Sequence, residues 1–169
     1  MNKTKKLTTC AVLISLALAL SYMEKFIPLQ MVIPLPGIKL GLANIVTLIA
    51  IYYLDVKIAY AIVFIRCLMG AIFGGGVSGL MFSLTGGLIS LTVMLLAKKM
   101  SCFSIFGVSV LGAATHNIGQ ILAAMLLMQS VYIGAYLPYL LIVALFTGYA
   151  TGLASAGVLK VIMTTRQTY

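Results

Sequence analysis

The only histidine of this chain belongs to a polar cluster in an otherwise apolar stretch, GAATHNIGQILAAM. His116 is followed directly by Asn117, and Gln120 comes one helical turn later. These side chains can donate and accept hydrogen bonds, and an imidazole can also exchange a proton near neutral pH. The cluster therefore either binds a polar ligand or joins neighbouring helices, through hydrogen bonds that average about 0.6 kcal/mol in membrane bundles.

Arg66 is the second residue that could do chemistry, within FIRCLMGAIFGGG. A guanidinium keeps its charge, so its burial requires an anion or several carbonyl groups. The chain contains only two acids, Glu24 and Asp55. Asp55 lies about 16 Å away along a helix, which is too far for a direct contact. Arg66 is therefore expected either to pair with Glu24 or to bind an anionic ligand.

Two further polar residues point to the same site. Asn44 shares a helical face with Gly37 and Gly41, and Lys39 stands near the start of that helix. We predict a substrate pocket for a small polar or anionic molecule, such as a carboxylate or a phosphate, which arginine binds through two parallel hydrogen bonds. The predicted pocket residues are Lys39, Asn44, Arg66, His116, Asn117 and Gln120.

The elements that must position these residues are membrane-spanning helices. Of the 169 residues, 63% are hydrophobic and only 8% are charged, against roughly 25% charged in soluble domains. The apolar runs are continuous rather than alternating, which favours helices over a barrel. The sequence predicts one all-α integral membrane domain over residues 1–169. Its six predicted transmembrane helices are 7–23, 38–54, 56–73, 77–97, 105–128 and 137–159.

Basic residues in the loops and at the span ends indicate the orientation, because cytoplasmic loops are enriched in them. With both termini in the cytoplasm, eight such residues lie inside and two, Lys25 and Lys39, lie outside. We therefore expect a multi-pass protein of the cell membrane with both termini cytoplasmic. The net charge of +9 then reflects topology and contact with anionic membrane lipid, and we expect no nucleic-acid binding.

The segment between the first two spans, residues 24–37, contains three of the four prolines and many apolar residues. Proline blocks a regular helix, and the apolar side chains need a buried environment. We expect this segment to fold over the outer end of the bundle as a cap. The alternative is an interfacial segment that lies on the bilayer.

The residue types argue against several kinds of chemistry. Magnesium-dependent chemistry on diphosphates needs clustered carboxylates, and the cysteines Cys10, Cys67 and Cys102 have no metal-ligand spacing. No glycine-rich loop with a lysine is present to bind ATP. We expect no enzyme activity, no metal and no cofactor, and a binding subunit that takes its energy from elsewhere. An intramembrane enzyme centred on His116 is an alternative, which predicts turnover by the isolated chain.

Three stretches carry a resemblance to a known family: PGIKLGLANIVTLIAIYYLDVKIAYAIVFIRCLMGAIFGG, FSLTGGLIS and GAATHNIGQILAA. They look like the Gx transporter family, also described as component I of heptaprenyl diphosphate synthase, and the resemblance covers essentially the whole chain. That family is grouped with the substrate-binding (S) components of energy-coupling factor (ECF) transporters. The resemblance implies a compact bundle of six helices, in which the long first loop closes over a ligand site at the outer side.

The resemblance also implies partners. The first helix would dock on a transmembrane scaffold (T) protein that carries two ATPases, through the small residues Ala11, Ser15 and Ala19. The predicted function is to capture a small polar or anionic molecule for an ATP-driven importer. The alternative is a non-catalytic membrane subunit that assists polyprenyl diphosphate or quinone synthesis, or an electron-transfer assembly.

Overall fold

The computed structural model describes residues 3–26 and 41–167, and within these ranges the chain is helical and contains no strand. The α-helices are α1 (Lys3–Met23), α2 (Asn44–Tyr53), α3 (Val56–Gly70), α4 (Gly76–Lys99), α5 (Ile105–Met128) and α6 (Leu137–Gln167). Short 3-10 turns follow α1 at Glu24–Phe26 and precede α6 at Val131–Tyr136, and a π-helical turn at Ala71–Gly75 joins α3 to α4.

Four helical segments are long and apolar enough to cross a membrane: Lys3–Met23, Val56–Lys99, Ile105–Met128 and Val131–Thr164. The prediction of an all-α membrane protein agrees with these segments. The ten residues of α2 extend over about 15 Å, roughly half the thickness of the hydrocarbon core. Helix length and composition therefore do not establish six separate crossings.

The 44-residue segment Val56–Lys99 is not one straight rod, because the chain reverses between α3 and α4. Tyr60 Oη lies 2.9 Å from Thr92 Oγ1, whereas a continuous helix would separate these residues by about 48 Å. Gly74 and Gly76 at the turn have φ angles of 103° and 61°, which favour glycine. The two helices consequently lie antiparallel, as the separate third and fourth predicted spans require.

The helix ends differ from the predicted spans. The first helix starts at Lys3 rather than at residue 7, and the last runs on to Gln167 rather than ending at 159. Apolar runs mark the part of a helix that lies in lipid, but backbone hydrogen bonding continues into the polar residues beyond it. Within the predicted cap, residues 24–26 form a 3-10 turn, and residues 27–37 lie outside the described residues.

The centre of the bundle is α2. Seven of its ten residues are buried, and it packs against α1, α3, α4, α5 and α6. A helix that is apolar on all sides is buried, either in lipid or among other helices, and the contacts of α2 place it among helices. In the described chain, α1, α3, α4, α5 and α6 contact one another in that order around α2. The start of α2 therefore lies inside the bundle rather than at its surface.

Small residues allow the outer helices to pack closely. A Cβ atom placed on Gly119 of α5 would lie 2.8 Å from the Gly86 Cα of α4, and one on Gly148 of α6 would lie 2.7 Å from the Val110 Cα of α5. Both contacts are with backbone, so these positions admit no larger residue without separating the helices. The crossing of Gly86 and Gly119 brings the α4 and α5 backbones close together, and it lies beside His116.

The two ends of the bundle differ in charge. At one end, Lys6 Nζ lies 2.7 Å from the Asp55 carboxylate, and Lys98 Nζ donates to the Ile51 carbonyl at 2.7 Å. The chain reverses direction from helix to helix, so Glu24 and the start of α2 lie at the opposite end. The buried polar cluster lies towards that second end, away from these lysines.

Candidate functional site

The structure buries every predicted pocket residue that it describes. Asn117 and Gln120 are completely buried, and the exposed fractions of Asn44, His116 and Arg66 are 2%, 2% and 6%. Lys39 lies outside the described residues. Because buried polar groups normally find hydrogen-bond partners, the partners of these side chains decide whether the cluster is structural or functional.

The first part of the site is built around the start of α2. The carboxylate of Glu24, which is buried, accepts a hydrogen bond from the Leu42 backbone N–H and so joins the end of α1 to the start of α2. Gly41 has a φ of 86° and no side chain here. A Cβ atom at Gly41 would lie 3.0 Å from Asn44 Nδ2 and 3.5 Å from His116 Cδ2. Asn44 and His116 therefore face the same small volume beside Gly41.

The second part is built on two consecutive glycines of α4. A Cβ atom at Gly86 would lie 3.2 Å from His116 Cε1 and 3.1 Å from Gln120 Cγ. A Cβ atom at Gly87 would lie 3.2 Å from Arg66 Nη2. The Gly86–Gly87 pair thus gives space to the guanidinium from α3 and to the imidazole and carboxamide from α5.

The structure bears on one of the two expectations for Arg66, the ion pair with Glu24. Glu24 is engaged at the start of α2, and no ion pair between Glu24 and Arg66 is present. Within the described part of the chain, Arg66 Nε and Nη2 have no hydrogen-bond partner. A buried guanidinium is costly when it is unpaired, so the partner of these two nitrogens decides the role of Arg66.

The two asparagines differ although their burial is similar. Asn117 Nδ2 donates to the Leu140 carbonyl of α6 at 3.0 Å, so this side chain connects two helices, and only its Oδ1 lacks a partner. Neither the Nδ2 nor the Oδ1 of Asn44 has a hydrogen-bond partner among the described residues. Asn44 is therefore a better candidate than Asn117 for a contact with a ligand.

Other buried hydroxyl groups in the bundle serve packing. Ser90 Oγ donates to the Gly112 carbonyl at 2.8 Å and connects α4 to α5. Ser109 Oγ lies 2.9 Å from Thr151 Oγ1 and connects α5 to α6. These satisfied pairs show how polar groups that only stabilise this bundle are arranged, and the bonding of Arg66 and Asn44 is different.

Reasoning from the sequence missed the residues that shape the site without being polar. The polar side chains pack directly against Gly41, Gly86 and Gly87, and Leu42 contributes only its backbone N–H. The glycine spacing on α4 was visible in the sequence, but it indicates close helix packing and does not identify the residues on the other side. Glu24 was considered as a partner of Arg66, and it instead holds the start of α2.

The predicted docking residues lie on another surface. Ala11, Ser15 and Ala19 are exposed along one side of α1, whereas Leu13 and Ala17 are buried on the side that faces the bundle. The structure therefore separates these three residues from the buried cluster. They form a strip of small side chains that faces away from the rest of the described chain.

The arrangement can bind, orient and desolvate a small molecule. A guanidinium donates hydrogen bonds and attracts a carboxylate or phosphate, and a carboxamide offers two N–H donors and an acceptor oxygen. Among residues 3–26 and 41–167, no three His, Cys, Asp or Glu side chains lie close enough together to hold a metal ion.

Comparison with known families gives one match. The family described as heptaprenyl diphosphate synthase component I matches residues 13–158, which include all the pocket residues. No curated protein matches the chain, and no solved structure does either. Because the family match extends over most of the sequence, the chain is a member of the heptaprenyl diphosphate synthase component I family.

Proposed function

We propose that this protein is the membrane-embedded substrate-binding (S) component of an ECF-type importer, with six crossings and both termini in the cytoplasm. It captures a small polar or anionic molecule at the outer face. A separate transmembrane scaffold and two ATPases supply the energy. The ligand binds between α2, α3, α4 and α5, where Asn44, Arg66, His116 and Gln120 are buried.

The state of Arg66 carries this proposal. Arg66 is 6% exposed, and two of its nitrogens, Nε and Nη2, are buried and have no hydrogen-bond partner in the described chain. An anionic ligand would offset the free-energy cost of burying the guanidinium. The site would therefore prefer anionic ligands to neutral ones. A purely structural arginine would instead be expected to bond a carbonyl or a carboxylate of its own chain.

The exposed strip on α1 supports the proposed scaffold contact. Ala11, Ser15 and Ala19 recur every four residues, and small side chains let another helix approach closely in lipid. The strip lies on the outside of the bundle, so a scaffold could bind it without entering the ligand site.

Arg66→Gln tests the binding function. The full-length protein and the variant are purified in mild detergent, and the small molecules that remain bound are identified by mass spectrometry. We expect an anionic compound in the unchanged protein and at least about a tenfold lower amount in the variant, because a charge-assisted hydrogen bond contributes about 1.5–3 kcal/mol.

The matched control is Ser109→Ala, which removes a buried polar contact between α5 and α6 but leaves the pocket unchanged. This variant should retain the compound. Equal retention by the unchanged protein and Arg66→Gln would contradict the proposal. So would an Arg66→Gln chain that unfolds while the addition of an anionic ligand does nothing to the unchanged protein, because Arg66 would then be structural.

The family description favours one alternative, a non-catalytic membrane subunit that assists polyprenyl diphosphate or quinone synthesis or an electron-transfer assembly. Purification of the tagged full-length chain from native membranes separates the two functions. A transmembrane scaffold with two ATPases supports import, and a prenyl synthase without them supports the alternative. Ala11→Leu together with Ala19→Leu should release the scaffold and ATPases, since larger side chains keep the helices apart.

A further inference from the structure

We infer that α2 is a strut between the lysine-rich end of the bundle and the polar cluster, and that Glu24 and Lys98 are the positioning residues that hold it in place. Neither residue belongs to the predicted pocket. The inference rests on the proposed binding function where it assigns a role to the cluster. It adds a regulation of that site from the other end of the molecule.

The two ends of α2 need hydrogen-bond partners inside the bundle. Its ten residues extend over about 15 Å, so they cannot reach both surfaces of a hydrocarbon core about 30 Å thick. A helix end leaves backbone N–H or C=O groups without partners in the helix, and lipid offers none. The residue before α2, Ala43, gives no side-chain hydrogen bond to the first turn. Other parts of the chain must therefore supply the partners.

One charged side chain meets each end of α2, and the sign of each charge matches the helix dipole. The Glu24 carboxylate accepts a hydrogen bond from the Leu42 N–H in the turn that leads into α2. Lys98 Nζ donates to the Ile51 carbonyl in the last turn of α2 at 2.7 Å. A helix favours a negative charge at its start and a positive charge at its end. No acid lies in the first turn of α2 and no base in its last, so both charges come from outside this helix.

The surroundings of both side chains restrict the position of α2. Glu24 is 4% exposed and follows directly after α1. Lys98 lies at the end of α4, and its Nζ is 4.7 Å from the centre of the Tyr52 ring, which is a cation–π contact with the last turn of α2. A movement of α2 along its axis would therefore stretch one of the two hydrogen bonds.

The start of α2 is in contact with the polar cluster. A Cβ atom at Gly41 would lie 3.0 Å from Asn44 Nδ2 and 3.5 Å from His116 Cδ2, so the backbone here packs directly against the imidazole. Binding geometries require a precision of about 0.5 Å, and a displacement of that size would alter these contacts. The hydrogen bond of Lys98 at one end of α2 therefore affects the groups at the other end.

This arrangement makes the proposed ligand site sensitive to the lysine-rich end. Lys98 is exposed there, as are both partners of the Lys6–Asp55 ion pair. The proposed scaffold and ATPases act from the cytoplasm, where this end is predicted to lie. An acidic group of such a partner that draws Lys98 away from the Ile51 carbonyl would release α2, and it would change the cluster without entering it.

The only histidine of the chain provides the readout. The Cδ2–H signal of His116 is recorded by NMR in the full-length protein with labelled histidine, purified through a histidine-free tag and placed in lipid nanodiscs without added ligand. Lys98→Met keeps most of the side-chain length and removes the ammonium group. Lys99→Met makes the same change at the neighbouring exposed lysine. We expect Lys98→Met to shift the His116 signal and Lys99→Met to leave it unchanged.

Variants at Glu24 test the other end of α2. Glu24→Met removes the acceptor of the Leu42 N–H and should shift the same signal. Lys6→Met removes another polar contact of α1, the ion pair with Asp55, and should not shift it. Glu24→Gln keeps an acceptor oxygen and Lys98→Arg keeps a charged donor. Both of these conservative variants should therefore give a signal close to that of the unchanged protein.

Two results would overturn the inference. One is a His116 signal that Lys98→Met shifts no more than Lys99→Met does. The other is a shift in Lys98→Arg that equals the shift in Lys98→Met, because the charged donor would then not matter. Lys98 and Lys99 are exposed at the end of a helix, so their variants decide the question even if Glu24→Met does not fold.

Retention of the bound anionic compound, measured by mass spectrometry as for Arg66→Gln, separates the inference from the function beneath it. We expect about tenfold less compound in Lys98→Met than in Lys99→Met, a loss like that caused by removing residues that support metal ligands. If Arg66→Gln loses the compound and Lys98→Met retains it, the regulation is wrong and the binding function stands. If the unchanged protein retains no anion, the binding function fails, and the regulation of a ligand site fails with it.

Discussion

Two asparagines at the residue scale show what a sequence can and cannot predict here. Polar residues inside an apolar helix are expected to face the bundle interior, and Asn44 and Asn117 are both buried. The sequence does not indicate which of them has a partner. Asn117 reaches the Leu140 carbonyl because α6 passes beside α5 at that level, and this depends on the packing of residues that are far apart in the sequence.

The sequence likewise does not indicate the partners of the charged residues Arg66 and Glu24. Their opposite charges made an ion pair one of the two expectations, and the length of the chain between them did not exclude it. The structure uses Glu24 at the Leu42 N–H instead, so the choice depended on the geometry at the start of α2. Lys39 and most of the predicted cap lie outside the described residues and stay predictions.

Asp55→Asn should lower the stability of the protein slightly at neutral pH and not at all in acid. A hydrogen bond from Lys6 and the charge of that lysine hold the pKa of the Asp55 carboxyl below its ordinary value. The stabilisation is therefore complete above the unfolded pKa, near 3.9, and is lost as the pH falls through the lower folded pKa. Tm values of both proteins measured across this range at low salt test the effect.

Salt and a second substitution provide the controls. Lys6 and Asp55 are both exposed, so about 1 M salt should remove the difference. Lys6→Gln should cause the same loss as Asp55→Asn, and the double variant should lose no more than either. A difference that persists in acid or in high salt would mean that Asp55 stabilises the chain in some other way, for example at the start of α3.

Helix packing at the element scale was partly predictable. The small residues of α4 and α6 recur at helical spacing, and the structure buries Gly86, Gly87, Gly148 and Gly152 in helix contacts. The reversal between α3 and α4 was predicted only as a boundary between spans, because the apolar run is nearly continuous there. The short length of α2 was not predicted, since hydropathy cannot separate a helix from the apolar residues that precede it.

Gly119→Ala should destabilise the bundle and weaken ligand binding together. Its new Cβ would lie 2.8 Å from the Gly86 Cα and 3.0 Å from the Thr85 carbonyl oxygen, which are backbone atoms that cannot rotate away. Overpacking of this kind costs about 1–3 kcal/mol. The helices would have to separate beside His116, so the binding site would change as well. Unfolding in detergent and the retained ligand measure the two effects.

Gly157→Ala on α6 is the matched control for this prediction. No atom lies within 4 Å of the Cβ that this substitution adds, and alanine is about 1 kcal/mol more favourable than glycine within a helix. Its stability should be unchanged or higher, and its ligand content unchanged. Equal stability losses at positions 119 and 157 would mean that the α4–α5 crossing is not the tight contact described above.

The whole molecule has two chemically different ends. Low charge and long apolar runs identified a membrane protein, and the cytoplasmic location of the lysine-rich end stays a prediction from the basic residues. The structure brings Lys6, Asp55 and Lys98 to one end, with the buried polar cluster towards the other. The central position of α2 could not be predicted, because every apolar helix is a candidate for the interior of a small bundle.

Labelling from the two sides of the membrane tests this polarity for the whole chain. Cys102 is exposed in the turn between α4 and α5, while Cys67 is buried and Cys10 is partly buried. In a chain with Cys10→Ala and Cys67→Ser, a membrane-impermeant maleimide should modify Cys102 only from the cytoplasmic side. With Cys102→Ser added, Ile72→Cys or Tyr132→Cys should be modified only from the outside, because both positions are exposed at the opposite end.

The labelling pattern also tests the crossing of each helix. Position 72 precedes α4, position 102 lies between α4 and α5, and position 132 follows α5. If these positions are labelled from outside, inside and outside in turn, α4 and α5 must each cross the membrane. Asp55→Cys, labelled from inside, would establish the same for α3. Modification of positions 72 and 102 from one side would contradict the antiparallel hairpin as a membrane-crossing pair. Modification of position 72 from inside would place the end that carries the Arg66 cluster on the wrong side for capture of a ligand from outside.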